Sequence, residues 1–234
     1  MKLCVIPARG GSKRIPRKNI REFCGKPMIA WSIEEARESG CFDQIIVSTD
    51  DEEIANLARQ WGADVPFMRP AALADDFAGT TPVVAHAVRW YQDHGQELTA
   101  VCCLYATAPF VEPDDIKQGL MMLAQAGPDH FVFTATAYAS PIQRALRIDA
   151  KSGESRMWQP EQFSKRSQDL EPAYHDAGQF YWGRAQAWLL AGNLFESSRP
   201  LILPRWRVQD IDTEDDWIRA ELMRQALVQM VGKH

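Results

Sequence analysis

The sequence predicts an α/β fold, a mostly parallel mixed sheet with helices on both faces, for three reasons. Apolar runs of strand length alternate with segments whose apolar residues recur at i, i+3, i+4 and i+7. Capping and turn residues separate the two kinds of segment. The alternation runs unbroken to Ala137 and resumes after Pro172, an order that favours parallel strands covered by helices.

Leu3–Ile6 is apolar throughout and runs into Pro7, Gly10, Gly11 and Pro16, as a buried strand entering a loop does. Pro27–Glu38 reads as a helix with Ile29, Ile33 and Ala36 on one face, and Gln44–Thr49 as a second strand. Asp50 and Glu53 have the spacing of a capping box ahead of Ile54, Leu57, Ala58 and Trp61. A short strand is expected near Asp64–Met68. Thr80 and Pro82 then open a helix bearing Val84, Ala87, Val88 and Tyr91, followed by a strand at Ala100–Tyr105.

Pro113 opens a helix with Ile116, Leu120, Leu123 and Ala124, and His130–Ala137 is a strong strand signal. Residues 140–172 break the rhythm with polar residues and a Lys151-Ser152-Gly153 turn, so they read as an insertion projecting from a single domain spanning 1–234. A strand at Gln179–Trp182, a helix near Ala185–Ala191 and a strand near Leu201–Leu203 follow. The last element is a helix from Thr213 bearing Met223, Ala226, Leu227 and Met230.

With 234 residues, 46% hydrophobic and 24% charged, the chain can bury a sizeable core. Its net charge of -5 gives no global attraction to nucleic acid or to an anionic membrane, so neither is expected as a partner. The five cysteines show no Cys-x-x-Cys pair and sit largely in apolar segments, which suits a reducing compartment. The apolar run at the N-terminus ends at Arg9, too short for a signal peptide or a span, and a cytoplasmic location is expected.

Against that acidic balance, Arg9, Lys13, Arg14, Arg17, Lys18 and Arg21 form a basic cluster with no acidic residue among them. Gly10, Gly11 and Ser12 add accessible backbone N–H donors, and donors of both kinds suit a triphosphate. The loop follows the first strand, and open parallel sheets bind ligands beyond the carboxyl ends of their strands. Gly-x-Gly-x-x-Gly is absent, and Gly25-Lys26 lacks the remainder of a Walker A loop. Charge alone leaves open a solvated basic surface.

The full string IPARGGSKRIPRKN, followed by GKPMIAWSIEEA, closely resembles the N-terminal signature of the CMP-sialic acid synthetase family of nucleotidyltransferases. The resemblance implies a Rossmann-like fold and a cytidylyltransferase activity. It implies that Arg9, Ser12, Lys13 and Lys18 contact the CTP phosphates, with Asn19 shaping the loop. Arg69, in MRPAAL, matches a nucleotide-contacting arginine of the family, and Thr80 and Thr81 are implied near the cytosine.

In VQDIDTEDDW, Asp210 and Asp212 are two apart, so in an extended segment both carboxylates project from one face. Such a pair suits Mg2+, which takes one or two carboxylates with substrate phosphates and water. Spacing leaves a helix-capping role open beside the metal role. Family members carry a matching Asp-x-Asp that binds the metal, so the resemblance implies Mg2+ at Asp210 and Asp212. Glu214, Asp215 and Asp216 fit the first turn of a helix, where acids favour the dipole.

LYATAPF and YHDAGQFYWG each border a strand and carry groups suited to a polyhydroxylated sugar, with Tyr105, Gln179 and Tyr181 the candidate contacts. Phe180 and Trp182 read as core. Sialic acid synthetases have Gln-Pro-Thr-Ser-Pro where this chain has Tyr105-Ala106-Thr107-Ala108-Pro109, and both strings resemble the pseudaminic acid cytidylyltransferase branch instead. That branch implies CTP and an acidic nine-carbon sugar as substrates, activated for glycan or flagellin modification. N-acetylneuraminate and legionaminate are the alternative sugars. Arg166 aligns with a basic residue that family members lend to a neighbouring subunit's sugar carboxylate, implying a homodimer. Among the histidines only His175, beside Asp176, is a site candidate. A metal-dependent glycosyltransferase would carry its acidic motif mid-chain, and a non-catalytic nucleotide sensor would release no pyrophosphate.

Overall fold

The computed structural model describes residues 1–75, 78–190, 192–196 and 198–231. Its first half contains β1 (Lys2–Pro7), β2 (Glu22–Phe23), β3 (Lys26–Pro27), α1 (Met28–Ser39), β4 (Gln44–Ser48), α2 (Glu52–Gln60), α3 (Thr80–Asp93) and β5 (Ala100–Leu104). Its second half contains α4 (Pro113–Ala124), β6 (Val132–Ala137), β7 (Leu146–Ile148), β8 (Ser155–Met157), β9 (Tyr174–Gly183), α5 (Ala185–Leu190), β10 (Arg199–Ile202) and α6 (Glu214–Val231).

The main sheet has six strands in the order β10-β6-β9-β5-β1-β4. Five run parallel to one another, while β9 pairs antiparallel with both β5 and β6. Side chains alternate across the sheet as strand geometry requires. Cys4 and Ile6 of β1 face the helices α1, α2 and α4, whereas Leu3 and Val5 face α3 and α5. The expected mixed sheet with helices on both faces is therefore present.

Local differences from the sequence reading have physical causes. Asp51, not Asp50, caps α2, its carboxylate accepting from the Ile54 N–H at 3.0 Å. Asp50 accepts instead from the Gly10 N–H at 3.0 Å. The segment 64–68 makes only two isolated bridges, to Ile46 and Thr49 of the edge. The strand expected at Gln179–Trp182 extends to ten residues because both neighbours pair with it. Ala191, the expected end of α5, and His234 lie outside the described residues.

Residues 140–172 hold the β7–β8 hairpin and short 3-10 turns. This segment exposes Ile142, Leu146, Ile148, Trp158 and Phe163, the last at 77%. On α6 the expected apolar face is divided: Met223 and Leu227 pack inward, while Ala226 and Met230 are exposed with Ile218 and Leu222. The reason is Trp217, which packs edge-on to Phe23 and fixes the helix rotation.

A third apolar cluster joins the two ends of the chain. Ile15 and Phe23 from the N-terminal loop meet Met28, Phe110, Ile211, Trp217 and Ala220. Among the described residues no helix is long and apolar enough to cross a membrane, and all five cysteines are free, four of them buried.

Gly119 lies where α4 crosses β9, and a Cβ there would sit 2.8 Å from Phe180 and Trp182, both fully buried. Overpacking costs about 1–3 kcal/mol, against a helix-propensity gain of about 1 kcal/mol. Gly119→Ala is therefore expected to lower the urea midpoint. An unchanged or raised midpoint would show that the rings yield.

Candidate active site

Beyond the carboxyl ends of the parallel strands lies a cleft of about 520 Å³. Its wall includes Arg9, Ser12, Lys13, Arg14, Lys18 and Asn19 from the loop after β1, Arg69, Gly79 and Thr80 at the start of α3, Tyr105 after β5, and Asp212. Elements far apart in sequence meet here because parallel strands deliver all their following loops to one end of the sheet.

The loop is tied down residue by residue. Asn19 is buried; its Nδ2 donates to the Arg9 carbonyl at 2.9 Å and its own carbonyl accepts from the Ile29 N–H at 2.8 Å. Gly10 approaches Asp51 so closely that a Cβ would lie 2.7 Å from Oδ2. Arg9 Nη1 donates to the Asp75 carbonyl at 2.9 Å. Lys18 Nζ donates to the Ile211 carbonyl at 2.5 Å and to Asp212 Oδ1 at 3.4 Å, and Arg14 pairs with the same oxygen at 2.9 Å. The basic loop and the acidic pair are thus in direct contact.

Not every basic residue faces the cleft. Arg17 adopts a positive φ of 56° and bonds to Asp51, at 2.5 Å and 3.2 Å, and to Glu53. Arg21 pairs with Glu214 at 2.7 Å and lies over the Trp217 ring at 4.4 Å. Both hold the loop to its neighbours. Gly10, whose N–H is taken by Asp50, and the exposed Gly11 are not among the lining residues, and Thr81 is half-buried beside Thr80 without lining the cleft.

Arg69 is only 6% exposed, with Nε donating to Ser48 Oγ at 3.1 Å and Nη2 to the Ser48 carbonyl. Burial brings its pKa down to about 10, with Asp50 opposing the shift. Tyr105 shares a 2.9 Å hydrogen bond with Thr80, and burial pushes its hydroxyl up to about 12.

Asp212 also lines a second cleft, of about 480 Å³, together with Asp210, Asp176, His175, Tyr138, Arg205, Asp216 and Arg219. The Asp210 carboxyl is pushed up by desolvation in this crowded wall and then by Asp212, with Lys18 opposing. A divalent cation would relieve that repulsion, and two hard oxygen donors suit one. Among the described residues no third carboxylate, histidine or cysteine joins them in a ligand cluster. Thr213 and Asp216 form a capping box at α6, Thr213 Oγ1 accepting from Asp216 N–H at 3.3 Å and Asp216 Oδ2 from Thr213 N–H at 2.9 Å. The same Oδ2 accepts from the Asp212 N–H at 3.1 Å.

The remaining sequence candidates lie elsewhere. Gln179 is 2% exposed and donates from Nε2 to the Arg207 carbonyl at 2.7 Å, bracing the turn that leads into Asp210 instead of lining a cleft. Tyr181 is buried, its hydroxyl donating to Asp176 Oδ2. Arg166 is exposed in the segment 140–172 and pairs with Asp169 at 2.8 Å, outside both clefts of its own chain. Sequence reasoning passed over Asp176, Arg205 and Arg219. Asp176 adjoins His175 in a quoted string, but nothing in the pattern of Arg205 or Arg219 distinguishes them from surface arginines.

A mixed sheet with a basic cleft at its carboxyl end, meeting an acidic pair, defines a nucleotide-handling α/β transferase. The cytidylyltransferase family model matches residues 3–169. The chain is 47% identical over 222 residues to a pseudaminic acid cytidylyltransferase of Campylobacter jejuni, covering 94% of this chain and 95% of that protein. It is 34% identical to a CMP-N,N'-diacetyllegionaminic acid synthase of Legionella pneumophila, covering 97% and 99%. A solved CMP:2-keto-3-deoxy-manno-octonic acid synthetase complexed with CTP shares the fold, with a TM-score of 0.69, 19% identity and coverage of 96% and 99%. The chain belongs to the cytidylyltransferase family and is a CTP-dependent nucleotidyltransferase, as its N-terminal signature led one to expect.

Arg17 holds the Asp51 carboxyl below the usual carboxylate range. A depressed folded pKa stabilises above the unfolded value and ceases to do so as pH falls through the folded one. Asp51→Asn, which retains the cap, is expected to lose about 0.5–1 kcal/mol at pH 7. The gap from the parent should close below the ordinary carboxylate range; urea titrations at both pH values measure it, and a constant gap would exclude the ion pair as its source.

Proposed function

We propose that this chain joins CTP to pseudaminic acid, an acidic nine-carbon sugar, giving CMP-pseudaminic acid and pyrophosphate. The observation that carries this reading is Asp212 standing as the common wall of two clefts, with Lys18 and Arg14 reaching it from the basic loop. The triphosphate occupies the basic cleft and the sugar the second, so the nucleophile and the α-phosphorus meet at that wall. The 47% identity to a pseudaminic acid cytidylyltransferase over nearly the whole chain supports the choice of sugar.

In this reading Arg9, Ser12, Lys13 and Lys18 bind phosphate oxygens, Asn19 holds the loop in shape, and Arg69 and Thr80 orient the nucleotide, while Thr81 stands outside the cleft wall. The anomeric hydroxyl attacks the α-phosphorus in line, giving up its proton to a carboxylate of the site or through it to solvent, while the bond to the leaving pyrophosphate breaks. Positive groups already in position stabilise the developing charge without reorganisation. Asp210 and Asp212 would hold Mg2+, which when bound neutralises phosphate charge. Tyr105 lines the nucleotide cleft and packs against Tyr181, whose hydroxyl bonds to Asp176 of the second cleft.

We infer a cytoplasmic homodimer in which residues 140–172 form much of the contact. The exposed Ile142, Leu146, Ile148, Trp158 and Phe163, all within this one segment, support this, because large apolar side chains gathered on exposed surface mark association. Arg166 lies on the same segment, where it can reach a second copy's sugar carboxylate.

The direct test supplies CTP, Mg2+ and pseudaminic, legionaminic or N-acetylneuraminic acid and measures pyrophosphate. Pseudaminic acid is expected to turn over fastest, and no turnover with any of the three would sink the activity. Asp212→Ala should lower kcat by more than about 100-fold with an unchanged circular dichroism spectrum. For the dimer, Arg166→Ala and Asp212→Ala are each expected to be weak alone and to recover activity when refolded together. Failure to complement would argue against a shared site.

A further inference from the structure

The ladder between β6 and β9 slips: Phe133 pairs with Tyr181, but Ala135 pairs with Asp176 where an unbroken ladder would place Gln179. Three extra residues are thereby accommodated in β9, and Gly178 takes a positive φ of 61° to allow it. The disrupted Phe180 N–H finds Thr134 Oγ1 at 3.4 Å. Bulges of this kind re-aim side chains next to active sites. Here the side chain re-aimed is Asp176, which lines the second cleft beside Asp210 and Asp212.

The carboxylate is held from behind. Gly178 N–H donates to Oδ1 at 3.0 Å and the Tyr181 hydroxyl donates to Oδ2. Tyr181 is itself immobilised, buried with its ring 5.4 Å from that of Tyr105. Each carboxylate oxygen can accept about two hydrogen bonds, so both retain capacity. Among the described residues Asp176 has no cationic partner within ion-pair distance, and it joins no metal-ligand cluster with Asp210 and Asp212. A half-buried carboxylate without a cation calls for hydrogen-bond donors, and the two internal donors, Gly178 N–H and the Tyr181 hydroxyl, leave part of that capacity unfilled on the side facing the cleft.

We propose that Asp176 recognises the acceptor sugar, accepting a hydrogen bond from an N–H or O–H donor of the sugar, with Tyr181 as the positioning residue that sets its orientation. This rests on the assignment of the second cleft to the sugar. It gives β9 a function in choosing the acceptor, and it recasts Tyr181 from a sugar contact to the support of one.

Asp176→Asn preserves size and still accepts from Gly178 or Tyr181, but it presents an N–H donor where an acceptor stood. Steady-state kinetics on the full-length protein, with each substrate varied in turn, are expected to show the KM for pseudaminic acid raised at least about tenfold and the KM for CTP unchanged. Tyr181→Phe should raise the same KM by a smaller factor and likewise leave that for CTP alone. An unchanged sugar KM in Asp176→Asn, or equal rises for both substrates, would overturn the proposal. If the parent enzyme turns over none of the acidic sugars, the failure lies with the activity itself, a result separable from an active parent with an indifferent variant.

Discussion

The Lys18 ammonium, donating to the Ile211 carbonyl and lying within reach of Asp212, ties together residues 193 and 194 positions apart. Beneath it Ile15 and Ile211 are both fully buried in one apolar cluster with Phe23 and Trp217. The polar contact and the packing act in the same direction. Packing fixes the height of the two backbones, and the ammonium fixes their register. A basic loop and an acidic pair that would otherwise be separate surface features become opposite walls of one cleft.

That clasp depends on supports reaching into the sheet. Arg207, buried just before the acidic pair, bonds to Glu112 and Asp115 at the start of α4. Its carbonyl accepts from Gln179 in β9. Removing one member of a buried ion pair leaves an uncompensated charge, so the Arg207 network specifies where the turn can lie. The Asp210–Asp212 segment is therefore braced by α4 behind it, β9 beneath it, the Thr213–Asp216 capping box after it and Lys18 across it. An acidic pair held this way needs little rearrangement to receive a cation, which is the sense in which such sites are preorganised.

The antiparallel β9 has two consequences for the site. Paired antiparallel on both edges, it carries three consecutive buried aromatics, Phe180, Tyr181 and Trp182. It also absorbs its own irregularity at the end nearest the clefts, where the bulge releases Asp176. A strand locked along most of its length can present one side chain accurately from the part that departs from the ladder.

Composition, periodicity and the Ile6–Asn19 string determined by themselves the alternating α/β order, the strand that feeds the basic loop, and membership of a CTP-using family. Each depends on neighbours in sequence: a period of two or 3.6, a cap, a run of like charges. Only tertiary structure divided the basic cluster, sending Arg17 to Asp51 and Arg21 to Glu214 while leaving Lys18 and Arg14 on Asp212. It likewise withdrew Gln179 into the core and brought Asp176 to a cleft. Those outcomes rest on partners dozens to nearly two hundred residues away. A lysine or a glutamine has the same local pattern whether it meets a ligand, a carboxylate or a backbone carbonyl, and packing alone selects among them.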